Sequence, residues 1–120
     1  MKDDKLKKVI KIIKALSDEG RLRIVNLLKA KSGVCVCEIT EIINLSQPTI
    51  SSHLKKLEEA GIITYRKDGL WVNYYLNDDM DSECRELIAM IIKIIEKDPD
   101  TKKDLLKVVN TDRMLICCKK

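Results

Sequence analysis

The fold of this chain is decided by one stretch, Ser46-Gln47-Pro48-Thr49-Ile50-Ser51-Ser52-His53-Leu54-Lys55-Lys56-Leu57-Glu58-Glu59-Ala60-Gly61. Ser46 is a suitable N-cap, because its hydroxyl can accept a hydrogen bond from a free backbone N–H of the first helical turn. Pro48 is tolerated in that turn, and Gly61 provides a left-handed stop. An apolar stripe follows the i, i+4, i+7 spacing at Ile50, Leu54 and Leu57. The pattern therefore predicts an amphipathic helix.

The opposite face of this helix is polar. It carries short hydroxyl side chains and two cations, namely Thr49, Ser51, Ser52, Lys55 and Lys56. A helix that buries one narrow stripe and presents small polar groups from its N-terminal half suits the major groove of DNA. An ordinary amphipathic surface helix has the same stripe, so the neighbouring segments must distinguish the two interpretations.

The preceding segment predicts a helix-turn-helix. Residues 34–43 form a short amphipathic pattern that begins around Cys35 to Cys37, and Asn44 to Ser46 can form a tight turn. Two helices joined by so short a turn are typical of DNA-binding proteins, in which the second helix reads the bases. Further upstream, apolar periodicity predicts two more helices, over residues 6–16 and 19–30.

The following segment predicts a β-hairpin. Residues 62–67 and 70–76 are rich in β-branched and aromatic side chains, and Asp68-Gly69 between them is a strong two-residue turn signal. This places Arg66 and Lys67 at the tip, where they would contact the DNA backbone or the minor groove. A hairpin directly after a helix-turn-helix forms a wing, so the fold predicted is a winged helix-turn-helix.

The C-terminal third predicts two more helices and a tail. Residues 83–97 are apolar almost all round, which indicates a dimer interface, and Cys84 is assigned to packing within that interface. A last helix is predicted from Pro99 to about Val109. The fold class is thus mostly α with a β-hairpin wing (α+β), in the order ααααββαα. We expect a single domain over residues 1–110 and a polar tail over residues 111–120 that contains Cys117 and Cys118.

Composition and charge narrow the class of protein. The formal net charge is +4, but residues 1–31 alone carry +6, and a homodimer would carry about +8, enough to attract DNA. No apolar run approaches the ~20 residues of a membrane span, and the N-terminus lacks a signal-peptide pattern. We therefore expect a cytoplasmic protein whose cysteines are thiols. The sequence contains no nucleophile–base pair and no phosphate-binding glycine loop, so an enzyme is not expected.

Three stretches resemble the ArsR/SmtB family of metal- and arsenic-sensing repressors. They are Ala15-Leu16-Ser17-Asp18-Glu19-Gly20-Arg21-Leu22-Arg23-Ile24, Val34-Cys35-Val36-Cys37-Glu38-Ile39 and residues 46–63. The resemblance implies a homodimeric repressor, paired through its first and fifth helices, that leaves a palindromic DNA operator when it binds metal. The DNA contacts that it implies fall at Gln47, Thr49, Ser51, Ser52 and His53.

Cys35 and Cys37 resemble the metal-binding box of the family's arsenic, antimony, cadmium and lead sensors. Soft ions prefer thiolate, which a helix N-terminus favours. Two positions differ from the family pattern. Thr40 stands where the arsenic type has a third cysteine, and residues 1–34 lack the thiols of the cadmium/lead type. The alternative is that both cysteines are small buried hydrophobic residues.

The tail offers a replacement for the missing third thiolate, because Cys117 or Cys118 could supply it from either subunit. We therefore expect arsenite or antimonite as the inducer, with cadmium or lead as the next candidates. No organic cofactor is expected. The alternative function is a DNA-binding regulator that responds to thiol oxidation without a metal ligand.

Overall fold

The computed structural model of the protein describes residues 4–110, which contain six helices and three strands. In chain order these are α1 (Lys5–Leu16), α2 (Glu19–Ala30), β1 (Val34–Cys35), α3 (Val36–Ile43), α4 (Gln47–Glu59), β2 (Ile63–Asp68), β3 (Trp71–Leu76), α5 (Ser82–Ile95) and α6 (Pro99–Asn110). No helix among these residues is long and apolar enough to cross a membrane. The predicted tail at residues 111–120 lies outside the described residues.

Helix α2 forms the centre of the core, since it packs against each of the five other helices and against β3. Its Ile24 and Leu27 are completely buried, and so are Ile39 and Ile42 of α3. These side chains belong to one continuous hydrophobic cluster. The DNA-reading elements are thus built on a single packed core.

The predicted helix-turn-helix is confirmed. Helix α3 ends at Asn44, whose φ of 63° places it in the left-handed region that Asn tolerates better than most residues. Helix α4 begins after Ser46, whose hydroxyl accepts a hydrogen bond from the Thr49 N–H at 3.3 Å. Pro48 lies in the first turn, as predicted.

The fold class is confirmed, but the sheet has one strand more than the predicted order ααααββαα. Strand β1 pairs antiparallel with β3, so the strand order in the sheet is β1-β3-β2. In this pairing Val34 lies opposite Tyr74, and Cys35 lies opposite Asn73. Two residues are too few to show an alternating pattern, and their partners lie 38 or more residues away in the chain.

The turn of the wing differs from the prediction by one residue. Asp68 still pairs with Trp71, so the two loop residues are Gly69 and Leu70. Gly69 has a φ of 64°, and among the described residues other than glycine only Asn44 has a positive φ. A positive φ at the first loop position alone fits a type II′ turn, which places glycine there. The tip therefore consists of Gly69 and Leu70, not of Arg66 and Lys67.

Helices α1 and α5 each have two apolar faces. One face enters the core, through Ile12 and Leu16 of α1 and through Ile88 and Ile92 of α5. The other face is exposed in the protomer and comprises Leu6, Ile10 and Ile13 of α1 with Leu87, Met90 and Ile94 of α5. Cys84 lies on the core side and is 8% exposed, so its assignment to interface packing was wrong. Periodicity could not separate the two faces, because α5 is apolar on both.

Helix α4 contacts the start of α2 through the side chain of His53. The Arg21 guanidinium lies 3.2 Å from His53 Nδ1, and the Asp18 carboxylate lies 3.5 Å from Nε2. Because arginine can only donate, Nδ1 has to accept, and the ring proton of the neutral histidine lies on Nε2, facing Asp18. Burial lowers the pKa of His53; Asp18 opposes this, and the charges of Arg21 and Lys56 add to the lowering. Gly20 allows this approach, because a Cβ there would lie 2.9 Å from Nε2.

We expect stability to depend on pH through this contact. The pKa of His53 is lower in the folded than in the unfolded protein, so the unfolded state takes up its proton first as the pH falls. The free energy of unfolding should be unaffected above about pH 6.5 and should fall as the pH drops from there toward the lowered pKa. Since His53 is the only histidine, His53→Gln should flatten this dependence. Urea unfolding at several values between pH 5 and 8 measures it, and an equal slope in both proteins would contradict the assignment.

Candidate nucleic-acid interface and thiol site

The polar face of α4 is presented to solvent as the sequence predicts. Its six exposed candidate DNA-contact residues are Gln47, Thr49, Ser51, Ser52, Lys55 and Lys56. They are held outward because Ile50, Leu54 and Leu57 on the other side are at most 2% exposed. The Thr49 hydroxyl also lies 2.8 Å from the Ser46 hydroxyl, so it contributes to the start of the helix as well.

His53 is arranged differently from the other candidates. Its side chain is only 13% exposed, and it faces Asp18 and Arg21 instead of the open side of α4. His53 therefore helps to position α4, and the predicted contact of its side chain with DNA stays a prediction. Helical periodicity placed it at the flank of the stripe but could not show which neighbour it meets.

The two cations of the wing point to opposite faces of the hairpin, because they are consecutive residues of strand β2. The guanidinium of Arg66 lies 4.5 Å from the centre of the Tyr75 ring, a cation–π arrangement that orients it. Lys67 is exposed on the other face and pairs in the ladder with Val72. Both therefore lie below the tip, on opposite faces of the wing.

The two cysteines of the predicted thiol site lie where the sheet meets α3. Cys35 ends β1 and is also the N-cap of α3, whereas Cys37 lies in the first turn of that helix. Cys35 is 4% exposed and Cys37 is partly exposed, and neither forms a disulfide among residues 4–110. The expected start of this helix around Cys35 to Cys37 is confirmed.

A buried carboxylate supports the backbone beneath the thiols. Glu38 is completely buried; its Oε1 accepts from the Cys35 N–H at 3.0 Å, and its Oε2 lies 2.7 Å from the Lys31 ammonium. The Glu38 N–H faces the Cys35 sulfur in return, so Cys35 and Glu38 form a capping box. The spacing of a capping residue and Glu three positions later could have revealed this contact from sequence, had cysteine been considered as a cap.

The described residues do not complete a metal site. Among residues 4–110, no three side chains of the types His, Cys, Asp and Glu are grouped closely enough to hold a metal ion. Thr40, which stands at the position of the missing third cysteine, donates to the Val36 carbonyl oxygen of its own helix at 2.8 Å. Cys117 and Cys118 lie outside the described residues. The arrangement thus offers two soft donors, which need a third donor from elsewhere to enclose an ion such as arsenite.

Helix α6 packs against α2 and α3. Arg23 of α2 forms two hydrogen bonds of 2.8 Å with Asp104 of α6, and this carboxylate is only 1% exposed. Lys107 donates to the carbonyl oxygen of Ile42, at the end of α3, at 3.3 Å. Helix α6 is therefore fixed against both α2 and the C-terminal end of α3, the helix whose first turn carries Cys37.

Comparisons with known proteins agree with this architecture. The sequence model of the bacterial regulatory protein arsR family matches residues 18–65, from the cap of α2 into the wing. An uncharacterised helix-turn-helix transcriptional regulator of Methanocaldococcus jannaschii is 42% identical over 85 residues, which cover 71% of this chain and 96% of that protein. The arsenical resistance operon repressor of Escherichia coli is 40% identical over 79 residues, covering 66% and 68% of the two chains.

Solved structures show the same fold. HlyU from Vibrio cholerae superimposes with a TM-score of 0.66 at 27% identity, covering 78% of this chain and 97% of that one. A homodimeric winged helix-turn-helix DNA-binding domain from Mycobacterium bovis gives a TM-score of 0.65 at 24% identity, covering 82% and 91%.

The family match over residues 18–65 and the identity to an arsenical resistance repressor agree with the arrangement of helix α4 and the wing. This chain therefore belongs to the ArsR family of DNA-binding transcription regulators.

Proposed function

We propose that this protein is a homodimeric repressor that binds a palindromic operator and is released when a soft ion binds Cys35 and Cys37. The observation that supports this proposal most is the place of Cys35. It begins the helix that leads through the turn into α4, and it pairs with Asn73 in the wing strand β3. One thiol is therefore attached to both elements that would touch DNA. A repressor of this kind acts in the cytoplasm, where the DNA is.

In this proposal the N-terminal half of α4 enters the major groove. Gln47, Ser51 and Ser52 contact base edges or phosphates, while Lys55 contacts the backbone. Arg66 and Lys67, on opposite faces of the wing, contact the DNA backbone. The operator is palindromic because a two-fold dimer presents two such helices about one DNA turn, ~34 Å, apart.

The exposed apolar faces of α1 and α5 would form the dimer interface. Each face follows helical spacing, with Leu6, Ile10 and Ile13 on one helix and Leu87, Met90 and Ile94 on the other. Large apolar side chains with exposures of 38–72% are unfavourable in water, and a second copy of the same surface would bury them. The homodimeric state of the Mycobacterium bovis domain supports this assignment.

Release follows from the geometry of the two cysteines. Cys35 is the N-cap of α3 in extended backbone, and its sulfur already faces the Glu38 N–H. An ion that drew this sulfur toward Cys37 would therefore distort the first turn of α3. Such a distortion disturbs the Cys35–Glu38 capping box and the pairing of Cys35 with Asn73. A coupling of ~1–3 kcal/mol between ion and DNA would lower operator affinity about 5- to 150-fold.

The third thiolate would come from the tail. Cys37 lies five residues before Ile42 on α3, about 8 Å along the helix axis, and Lys107 of α6 contacts the Ile42 carbonyl. Six residues lie between Asn110 and Cys117, and the seven steps from one Cα to the next span at most about 25 Å. Cys117 or Cys118 of the same subunit is therefore within reach, although the partner's tail stays an alternative. Three thiolates suit arsenite or antimonite, and cadmium or lead would be the next candidates.

The proposed insertion of α4 into the major groove can be tested by introducing a negative charge near the middle of this helix. Ser52→Glu places an anion against phosphates and base-edge acceptors, and it should weaken operator binding by about 100-fold or more. Ser82→Glu is the matched control, because it makes the same change at the exposed first turn of α5, where an acid is tolerated. Fluorescence anisotropy with a labelled operator measures both. Unchanged affinity of the Ser52→Glu protein would show that another face of α4 is used.

The dimer can be tested without disturbing the protomer. Ile94 is 65% exposed on α5, so Ile94→Lys should leave the protomer folded while placing a charge in the apolar interface, which is strongly unfavourable. Light scattering at micromolar concentration should show a monomer that no longer binds the palindromic site. Leu106→Lys, on the exposed side of α6, is the control and should stay dimeric. A monomeric wild-type protein that binds the operator would contradict the proposal.

The proposed binding of a soft ion by the cysteines can be tested by removing thiols one at a time. Cys37→Ser should keep full operator affinity but should no longer be released by arsenite in reducing buffer. Removal of residues 117–120 should raise the arsenite concentration needed for release, whereas Cys84→Ala should behave like wild type because that thiol lies in the core. Release of the Cys37→Ser protein at the wild-type arsenite concentration would place the site elsewhere.

The redox alternative makes a different prediction for the wild-type protein. An oxidant should release it from DNA, a reductant should reverse this release, and arsenite should have no effect.

A further inference from the structure

A second basic surface lies beside the reading helix, in a cleft of about 290 Å³ between α1, α2 and the C-terminal half of α4. Its charged lining consists of Lys11, Lys14, Arg21, Lys56 and Glu59. Four cations against one carboxylate give the cleft a net charge of +3, although the chain as a whole carries only +4. A concave surface with one sign of charge concentrates the electrostatic field and attracts an anion.

The lysines of this cleft form no ion pair within the part of the protomer that the structure describes. Lys7 and Lys8, on the same helix α1, lie within 4 Å of the carboxylates of Asp4 and Asp81. In contrast, none of the cleft lysines makes an ion pair with a carboxylate among residues 4–110. Their charge is thus available for an external ligand.

The arginine of the cleft is held in a fixed position. Its Nε donates to the Ala15 carbonyl oxygen at 2.6 Å, and its Nη1 meets His53 Nδ1 at 3.2 Å. These contacts join the end of α1, the start of α2 and α4 at one guanidinium. A guanidinium has more donors than these two contacts use, and it matches the geometry of a phosphate. Arg21 can therefore bind an anion at little cost in conformational entropy.

The position of the cleft relative to α4 indicates which anion it meets. Lys56 follows Ser52 by one helical turn and lies on the same face. Helix α4 has 13 residues and is about 20 Å long, whereas the major groove is only about 12 Å wide. If the N-terminal half of α4 occupies the groove, its last turns must pass beside the phosphates that border the groove.

We propose that this cleft binds a backbone phosphate of the operator, next to the groove that α4 reads. Lys11, Lys14 and Arg21 thereby join Lys56 in holding DNA, and α1 serves the DNA surface with its basic side and the dimer with its apolar side. This inference rests on the proposed DNA-binding function. It assigns phosphate contacts to α1 and α2, outside the reading helix and the wing.

The test compares two double variants with the same change in net charge. Lys11→Gln/Lys14→Gln removes two charges from the cleft, and Lys102→Gln/Lys103→Gln removes two exposed charges from α6. We expect the cleft variant to bind operator and unrelated DNA about tenfold more weakly and to flatten the salt dependence. The log–log slope should change by about 0.9 for each lost phosphate contact, or about 1.8 for the two clefts of a dimer. The α6 variant should keep the wild-type slope. Lys14→Gln alone provides a milder second variant.

A phosphate-specific measurement completes the experiment. Neutral methylphosphonate is placed at single positions along the operator backbone. Methylphosphonate at a position that contacts the cleft should weaken binding of wild type clearly more than binding of the cleft variant, which keeps only Arg21 and Lys56 at that phosphate. Equal slopes for the two double variants would overturn the proposal, as would the absence of such a position. The proposed function fails separately, if Ser52→Glu binds the operator as tightly as wild type.

Discussion

The burial of three side chains on one side of α4 is the constraint on which the rest of this structure depends. Ile50, Leu54 and Leu57 are almost completely removed from solvent. A helix fixed along such a narrow stripe cannot rotate about its axis without exposing apolar surface, so its opposite face has to be displayed. The contact of His53 with Arg21 and Asp18 restrains the flank of the same helix. Hydrophobic packing thus determines which polar groups reach the surface.

The two cysteines lie where strand β1 meets helix α3, not in a preformed pocket. Cys35 takes part in the β1–β3 ladder and in the cap of α3, and the buried Glu38 supports both arrangements. A buried carboxylate paired with Lys31 tolerates little displacement, because a separated charge in the interior is strongly unfavourable. A small movement of the Cys35 backbone is therefore transmitted in two directions, to the turn before α4 and to the wing. Regulation in this proposal requires no large rearrangement.

Much of this architecture could be predicted from local sequence patterns. The cap at Ser46, the stripe of α4 and the strand-like runs of the wing are local signals, and they appear in the structure as expected. The features that were missed depend on long-range contacts. Strand β1 is too short to show a period, and the direction of His53 depends on α2. The turn of the wing lies one residue later than predicted, because its first position needs a positive φ and Gly69 takes it.

The thiol site could be predicted only in part for the same reason. The resemblance to a metal-binding box pointed to Cys35 and Cys37, but it could not show that Cys35 is shared between a strand and a helix. The apolar runs of α5 did not reveal that Cys84 faces the core, because both faces of that helix are apolar. A two-sided helix gives the same pattern whether its second face meets the core or another subunit.

The burial of Cys35 has a consequence for the speed of response. Cys35 as a residue is only 4% exposed, so in the proposed function an ion would reach its sulfur only after the end of β1 opens. Local openings of this kind occur over microseconds to seconds and are rarer where the backbone is well paired. A regulator built on this thiol would therefore respond at the pace of its own fluctuations. The delay before release would be a property of the fold, because it would depend on how often the two residues of β1 separate from β3.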